Sequence, residues 1–342
     1  RFINKNYSFI IHSIDHLFKR LTPCRIVIMP MNLTHESPQL ADSYIERVGI
    51  KNENLLMKMY LYSGRLDKCN SIYYSNFYFS PDIIYESLIS GKIDMVTWVD
   101  SKIPLCHLEY MYPVVRYGYF DILLYLLNKG LEPDERVIWN AIDSNHFGMV
   151  KFLLSRECPL SNFEKSHAIR KGNKYIIMLI SNYRYKYGME QMKIACEIGD
   201  IEIVKLLMSY GLKLDTECFN IVVKGNYGEL IRLMIEEGVE INNWALYNTI
   251  YYCDIENIEI MCNKYKLITF CYEAAFMKKS LELCKYIYKH GVPFDHKIFA
   301  NAILMCNMSI WEWLYINKCP YGVDCYNTAI MINNLDAIKY LE

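Results

Sequence analysis

The amino-acid sequence predicts an all-α protein: a solenoid of stacked helix pairs with a period of about 27 residues. Three recurring features predict this fold: a turn residue at that period, a mostly small side chain four positions before it, and an apolar pair after it. Self-similarity at a fixed period is the signature of repeat proteins, in which each unit buries its apolar face against its neighbours.

The turn residue is the first of the three columns. Its spacing is 27 residues, with values of 26 or 28 only between Gly199 and Cys306. Because Gly and Asn tolerate a left-handed backbone, we expect a first helix to end at each such residue and a second helix of about nine residues to follow. The column contains Gly64, Gly91, Gly118, Asn145, Gly172, Gly199, Gly225, Cys253, Lys279, Cys306 and Asn333.

The other two columns predict how the helices pack. Small side chains let helices approach closely, and apolar residues three or four positions apart share one helical face. The residues four before each turn are Tyr60, Ser87, Val114, Ala141, Ala168, Ala195, Ile221, Thr249, Ala275, Ala302 and Ala329. The apolar pairs include Met95-Val96, Ile122-Leu123, Met149-Val150, Ile176-Ile177, Ile203-Val204, Leu283-Cys284, Ile310-Trp311 and Ala337-Ile338.

The connections between units carry their own signals. Gly-x-x-x-Asp or a close variant begins at Gly130, Gly211, Gly238 and Gly291. The glycine is expected to close the second helix, and the Asp or Asn to cap the next first helix. Residues 161–164 show a capping-box pattern instead.

Residues 199–211, GDIEIVKLLMSYG, resemble the second helix of ankyrin repeats, which reads G-x-x-E-I-V-K-x-L-L. Similar stretches begin at Gly228 and Ser280. The Thr-Pro-Leu-His opening of the ankyrin first helix is absent, and the period is shorter than the usual 33 or so residues. The resemblance therefore implies an ankyrin-like solenoid whose β-hairpin fingers are shortened or absent. Arrays of this composition are similar to those of large DNA viruses, of giant-virus or poxvirus type.

The repeat array is predicted to cover residues 35–342, with at least ten units of which the last is incomplete. Residues 1–34 carry a helical apolar stripe and are interpreted as an N-terminal helical cap or the end of a preceding module. The chain is expected to be a fragment of a longer protein.

Composition narrows the class of function. With 37 basic and 38 acidic side chains, no general phosphate-binding surface is implied, and nucleic acid is not favoured as a partner. Thirteen scattered cysteines without a short recurrent spacing favour a reduced, intracellular protein. No apolar run is long enough to span a bilayer, so no membrane association is predicted.

No catalytic, cofactor-binding or metal-binding residues are predicted. The sequence lacks a G-x-S-x-G motif and a Gly-rich phosphate loop. His12 and His16 lie four residues apart but have no third ligand, and no cysteine pair has zinc-knuckle spacing.

Aromatic residues are the candidates for partner contacts, because rings and arginine are common interface anchors. Four of them, Tyr117, Trp139, Trp244 and Tyr252, are predicted on first helices, which line the concave face of ankyrin-like stacks. Four more, Tyr183, Arg184, Tyr185 and Tyr187, are predicted in a lengthened loop. Stacking of nucleic-acid bases on that loop is the weaker alternative.

The predicted function is a non-catalytic scaffold or adaptor that binds an unidentified protein partner on the concave face. Two alternatives stay open: a structural or virion component that self-assembles, and the repeat region of a larger protein whose activity lies elsewhere. The expected location is intracellular, in the host cytoplasm if the protein is viral or associated with the virion. The sequence does not define the oligomeric state.

Overall fold

The computed structural model describes Ile45 and residues 51–74, 77–183, 185–305 and 308–341. Within these residues the regular elements are 22 α-helices and one 3-10 helix, with no β-strand. The predicted all-α repeat fold without β-hairpin fingers is therefore confirmed for the described residues. The cap predicted for residues 1–34 lies outside them. Contacts divide the chain into two compact units, Arg1–Glu132 and Pro133–Glu342.

The first unit contains three helix pairs. In each pair the first helix packs against the second, and successive first helices also pack on one another. A 3-10 helix, Leu108–Tyr110, leads into the third pair. The helices are α1 (Glu53–Ser63), α2 (Leu66–Ile72), α3 (Pro81–Ile89), α4 (Ile93–Lys102), α5 (Met111–Tyr117) and α6 (Phe120–Asn128).

The second unit contains eight helix pairs. Each odd-numbered helix is the first of a pair and packs on the next odd-numbered helix along the unit. The helices are α7 (Glu135–Asp143), α8 (Phe147–Ser155), α9 (Asn162–Lys171), α10 (Lys174–Asn182), α11 (Met189–Ile198), α12 (Ile201–Ser209), α13 (Thr216–Lys224), α14 (Gly228–Glu236), α15 (Asn243–Tyr252), α16 (Ile255–Cys262), α17 (Cys271–Met277), α18 (Leu281–Lys289), α19 (Ile298–Met305), α20 (Met308–Ile316), α21 (Val323–Met331) and α22 (Leu335–Leu341).

The predicted left-handed turn is present in most units, at Gly64, Gly91, Gly118, Asn145, Gly172, Gly199, Lys279 and Asn333. Gly225 was the wrong choice: its φ is −81°, whereas its neighbour Asn226 has a φ of +56°. Asn226 lies 27 residues from both Gly199 and Cys253, so the period is more regular there than predicted. Cys253 has an extended backbone and a buried thiol, and Cys306 lies outside the described residues.

The small-residue column is buried throughout, which explains the close packing of first helices. The shift at Asn226 applies here as well: Val222 is buried, whereas the predicted Ile221 is half-exposed. The apolar pairs are buried too, except that Ile338 is half-exposed. Because burial of each large apolar side chain contributes about 1.5–3 kcal/mol, these columns form the main stabilising core.

Most second helices connect to the next first helix through six residues. Gly130, Gly211, Gly238 and Gly291 have the predicted positive φ. Asp134, Asp215 and Asn242 cap the following helices, accepting backbone N–H bonds at 2.8–3.0 Å. The capping box of Ser161 and Glu164 is also present. These caps fix where each first helix begins, and so which of its residues face outward.

Candidate interaction surfaces

Three of the predicted contact residues are exposed on first helices. Trp244 lies near the start of α15, Tyr252 ends the same helix, and Tyr117 ends α5. Their exposed fractions are 54%, 42% and 48%. All three are thus accessible to a partner, and their role in binding stays a prediction.

The loop of residues 183–188 differs from its prediction. It has the same six-residue length as the other connections, so it is not lengthened. Tyr187 is buried at 7% exposure, donates a 3.1 Å hydrogen bond to the Ile177 carbonyl and stacks on Tyr210, so its assignment as a contact residue was wrong. Tyr183 and Tyr185 are half-exposed, and the Tyr185 hydroxyl donates to the Cys158 carbonyl at 3.0 Å.

Arg184 lies outside the described residues, so its contacts are not part of this description. The prediction failed for Tyr187 because a loop sequence does not reveal which rings point inward. The six-residue loop needs a side chain to fill the space against α10, and Tyr187 fills it while its hydroxyl satisfies a helical carbonyl.

Tyr117 belongs to a group of phenol side chains in the first unit. Its ring stacks on Tyr119 with centroids 5.9 Å apart, and the Tyr119 hydroxyl donates to the Ile89 carbonyl at 3.1 Å. Burial, followed by the proximity of Tyr117, raises the pKa of Tyr85. Burial also raises the pKa of the half-buried Glu86 carboxyl. This surface offers hydrogen-bonding hydroxyl groups and one carboxyl to a partner.

Trp139, the fourth predicted residue on a first helix, is only half-exposed. It stacks on His167 with centroids 4.8 Å apart, and its indole N–H has no hydrogen-bond partner among the described residues. His167 and Lys171 each contact the same oxygen of Asp143 at 3.2 Å. Burial opposes ionisation of Asp143, but these two neighbours outweigh it and lower its pKa. Trp139 is therefore held within an inter-helix cluster and is less accessible than Trp244.

Trp244 is part of a larger aromatic group. Its ring is parallel to that of Tyr247, with centroids 5.0 Å apart and an interplanar angle of 4°. Tyr247 in turn stacks on Tyr251 at 6.1 Å and 9°. Phe270, directly before α17, lies 5.0 Å from Tyr247. We call Trp244, Tyr247, Tyr251 and Phe270 the aromatic row; Tyr252 contacts it edge-on at 4.8 Å from Tyr251.

The sequence analysis identified Trp244 and Tyr252 but missed the other members of the aromatic row. Trp244, Tyr247 and Tyr251 are spaced i, i+3 and i+7, which places them on one helical face. Helix α15 also contains no charged residue. Those two signals together could have revealed the row on α15, whereas Phe270 required knowledge of the packing between α15 and α17.

Charged side chains on neighbouring first helices are mostly paired with each other. The ion pairs are Lys171–Asp143 at 3.2 Å, Arg170–Glu197 at 3.4 Å and Lys193–Glu217 at 2.5 Å. Each exposed pair contributes only about 0–1 kcal/mol to stability, but together they leave these faces without a strong field.

Glu273 on α17 differs from these paired carboxylates. It accepts a 3.2 Å hydrogen bond from the Asn301 side chain, and no basic group in the described part of the chain lies within ion-pair distance. Burial, and then the charge of Asp295, raises its pKa. Glu273 is therefore a carboxylate whose local surroundings lack a compensating cation.

The described residues show no other chemical site. They contain no cluster of three or more His, Cys, Asp or Glu side chains arranged to hold a metal ion. Their cysteines are free thiols, and burial raises the pKa of buried ones such as Cys69 and Cys253 to about 12. Among these residues, no helix combines the length and apolar character needed to cross a membrane.

The chain matches no known family model. It is similar to two ankyrin repeat proteins of Acanthamoeba polyphaga mimivirus. The first is 22% identical over 173 residues, which cover 48% of this chain and 26% of that protein. The second is 25% identical over 239 residues, covering 66% and 30% respectively. The chain resembles the divergent ankyrin-repeat proteins of giant viruses.

These ankyrin-like relatives are much longer than the matched stretches, which span less than a third of either one. Stacked repeats in general provide extended surfaces for binding. Among solved structures, the pentatricopeptide repeat protein PPR10 from maize is 10% identical with a TM-score of 0.37, covering 90% of this chain and 55% of that one. That score is too low to support an argument about fold or function.

Proposed function

We propose that the chain is a non-catalytic protein–protein interaction scaffold or adaptor that holds a protein partner on the outward face of its first helices. The observation that carries this proposal is the aromatic row on α15 and its neighbour Tyr252. Large rings supply contact area at low cost in side-chain entropy, and Trp and Tyr dominate binding hot spots.

The shape of the repeat supports the same face. Because the described residues contain no β-hairpin fingers, recognition falls on the helices and on their short turns. The paired charges on α9, α11 and α13 favour a partner selected by local contacts rather than by a long-range field.

A non-catalytic role fits the chemistry of the described side chains. Buried thiols with raised pKa are poor nucleophiles, because the thiolate is the reactive form. The half-buried Glu86 and Glu273 belong to aromatic surroundings and have no neighbouring nucleophile arranged as in a hydrolase.

The resemblance to giant-virus proteins extends this proposal to an adaptor that acts on host or virion components, in the host cytoplasm or on the virion. The alternatives are a self-assembling structural component and the repeat region of a larger protein with its activity elsewhere. The short share of the relatives that is matched favours keeping the second alternative.

The test uses a photo-crosslinking amino acid at Tyr252, beside the aromatic row, in the chain produced in its native cells. A matched control carries it at Tyr175 on α10, a second-helix residue that is 73% exposed. We expect a defined protein adduct from position 252 and not from position 175, identified by mass spectrometry. Equal labelling at both positions, or no adduct at either, would contradict the proposal.

A further inference from the structure

The aromatic row presents rings of nearly uniform orientation to solvent. The planes of Trp244, Tyr247 and Tyr251 differ by 4° and 9° between neighbours, and Trp244 is the most exposed ring. The faces of aromatic rings carry partial negative charge and attract cations. The row therefore favours a flat cationic group over an aliphatic one.

Glu273 lies beside this row. It is three residues after Phe270, one turn along α17, and its charge contributes to the raised pKa of Tyr247, after burial and Tyr251. The corresponding faces of neighbouring helices pair their carboxylates with Lys or Arg, as Glu217 does with Lys193. Lys278, at the end of α17, instead donates to the backbone carbonyls of Ile250 and Cys253. The site thus combines ring faces with one carboxylate that has no cation.

We propose that the aromatic row and Glu273 together bind an arginine side chain on an extended segment of a protein partner. The guanidinium stacks on Trp244 and donates hydrogen bonds to the Glu273 carboxylate. This inference rests on the proposed scaffold function, and it adds the chemistry that the partner must supply.

Arginine fits these groups better than the other side chains that stack on rings. Its guanidinium is planar, weakly hydrated and rich in donors, whereas a lysine ammonium is a compact, strongly hydrated charge. A proline-rich segment would use the rings but would cover Glu273 without pairing it, and burying an unpaired carboxylate is costly. Charge complementarity therefore selects a cationic segment.

Three short peptides of equal length test this proposal on the full chain. The first is a Gly-Ser peptide with three spaced arginines, the second replaces each arginine by its uncharged isostere citrulline, and the third is proline-rich. Binding is followed by NMR of the ¹⁵N-labelled tryptophan indole groups, in which the Trp244 signal is assigned by its loss in Trp244→Phe. We expect the arginine peptide to shift the Trp244 signal and to bind about 3- to 30-fold more tightly than the citrulline peptide, the range of a cation–π contact.

Two variants and one control locate the binding. Trp244→Ala should weaken binding of the arginine peptide about 3- to 30-fold. Glu273→Gln keeps an oxygen for the Asn301 hydrogen bond but should remove most of the preference for arginine over citrulline. Tyr175→Ala, an exposed ring on α10, should leave binding unchanged. Circular dichroism of each variant shows that the fold is retained.

Equal binding of the arginine and citrulline peptides, binding of the proline-rich peptide alone, or full binding by Glu273→Gln would overturn the proposal. A protein adduct at Tyr252 together with any of these results would leave the scaffold function intact and remove only the arginine specificity. Absence of any adduct would instead count against the scaffold function itself.

Discussion

At the residue scale, the glycine at each turn has two functions. It adopts a left-handed backbone, and its missing side chain makes room for a residue of the next unit. A Cβ on Gly199 would lie 2.6 Å from the ring of Tyr227, whose hydroxyl donates to the Glu197 carbonyl at 3.1 Å. Gly91 and Tyr119 repeat this arrangement in the first unit. The turn residue therefore links neighbouring units as well as paired helices.

This double function predicts that Gly199→Ala is more damaging than Gly211→Ala. Both residues have positive φ, 81° and 87°, but a Cβ on Gly211 meets no atom within 4 Å. Each substitution should cost about 1–2 kcal/mol of strain, and Gly199→Ala should lose a further 0.5–1.5 kcal/mol or so with the Tyr227 hydrogen bond. Urea denaturation followed by circular dichroism measures the difference. Equal losses for the two variants would show that Tyr227 moves away without cost.

A second prediction concerns Asp100 at the end of α4. Burial opposes its ionisation, but hydrogen bonds from the Leu105 N–H, Lys129 and Tyr125 outweigh burial and lower its pKa. The same contact raises the pKa of Tyr125 to about 12. The stabilisation is therefore present above the ordinary Asp pKa near 3.9 and is lost as pH falls through the lower, folded-state pKa.

Asp100→Asn should consequently lower the free energy of unfolding at pH 7 by about 1–3 kcal/mol, the range for hydrogen bonds to a charged group. The difference from the natural chain should shrink as pH falls below 4 or so, because Asp100 becomes protonated there. Asp121→Asn on the exposed side of α6 is the control. A difference that did not vary with pH would show that the Asp100 charge contributes nothing.

At the element scale, close packing of first helices depends on the small-residue column. Ala195 is fully buried in α11, which packs against both α9 and α13. Ala195→Met should therefore overpack this contact and cost about 1–3 kcal/mol, measured by the urea midpoint. Glu190→Met, on the exposed side of the same helix, should change it by less than about 0.5 kcal/mol. Unchanged stability of Ala195→Met would mean that the helices can separate without loss.

The sequence was sufficient to predict these elements because periodicity reports packing directly. Ala195, the apolar pairs and the Asp caps each recur at positions that every unit must use in the same way. The sequence was insufficient where two neighbours compete for one role, as with Gly225 and Asn226, since both residue types accept a left-handed backbone. It was also insufficient where packing decides which way a ring points: Tyr187 faces inward, and Phe270 joins the aromatic row from another helix.

At the scale of the whole molecule, exposed apolar side chains on the last described helices bear on the choice between an adaptor and a self-assembling component. Ile330 on α21 is 63% exposed, whereas residues at the same repeat position in earlier units, such as Ile142, Ile169 and Val223, are fully buried. Met331 and Leu335 beside it are 74% and 62% exposed. This surface resembles the face that one repeat normally presents to the next.

The size of this apolar surface predicts weak association between copies. Burying three such side chains would contribute about 4–9 kcal/mol, at about 1.5–3 kcal/mol each. Loss of translational and rotational freedom costs about 4–15 kcal/mol, which offsets most or all of that gain. We therefore expect sedimentation velocity to show a monomer at low micromolar concentration, with association only at much higher concentration.

Ile330→Glu should abolish the association at high concentration, because it places a charge where an apolar contact is needed. Lys339→Glu, an exposed charged position on α22, is the matched control for added negative charge and should behave like the natural chain. If the natural chain instead formed a stable assembly at low micromolar concentration that Ile330→Glu disrupts, the structural-component alternative would gain over the adaptor. The energetics favour the adaptor, because this surface alone is too small to build a stable assembly.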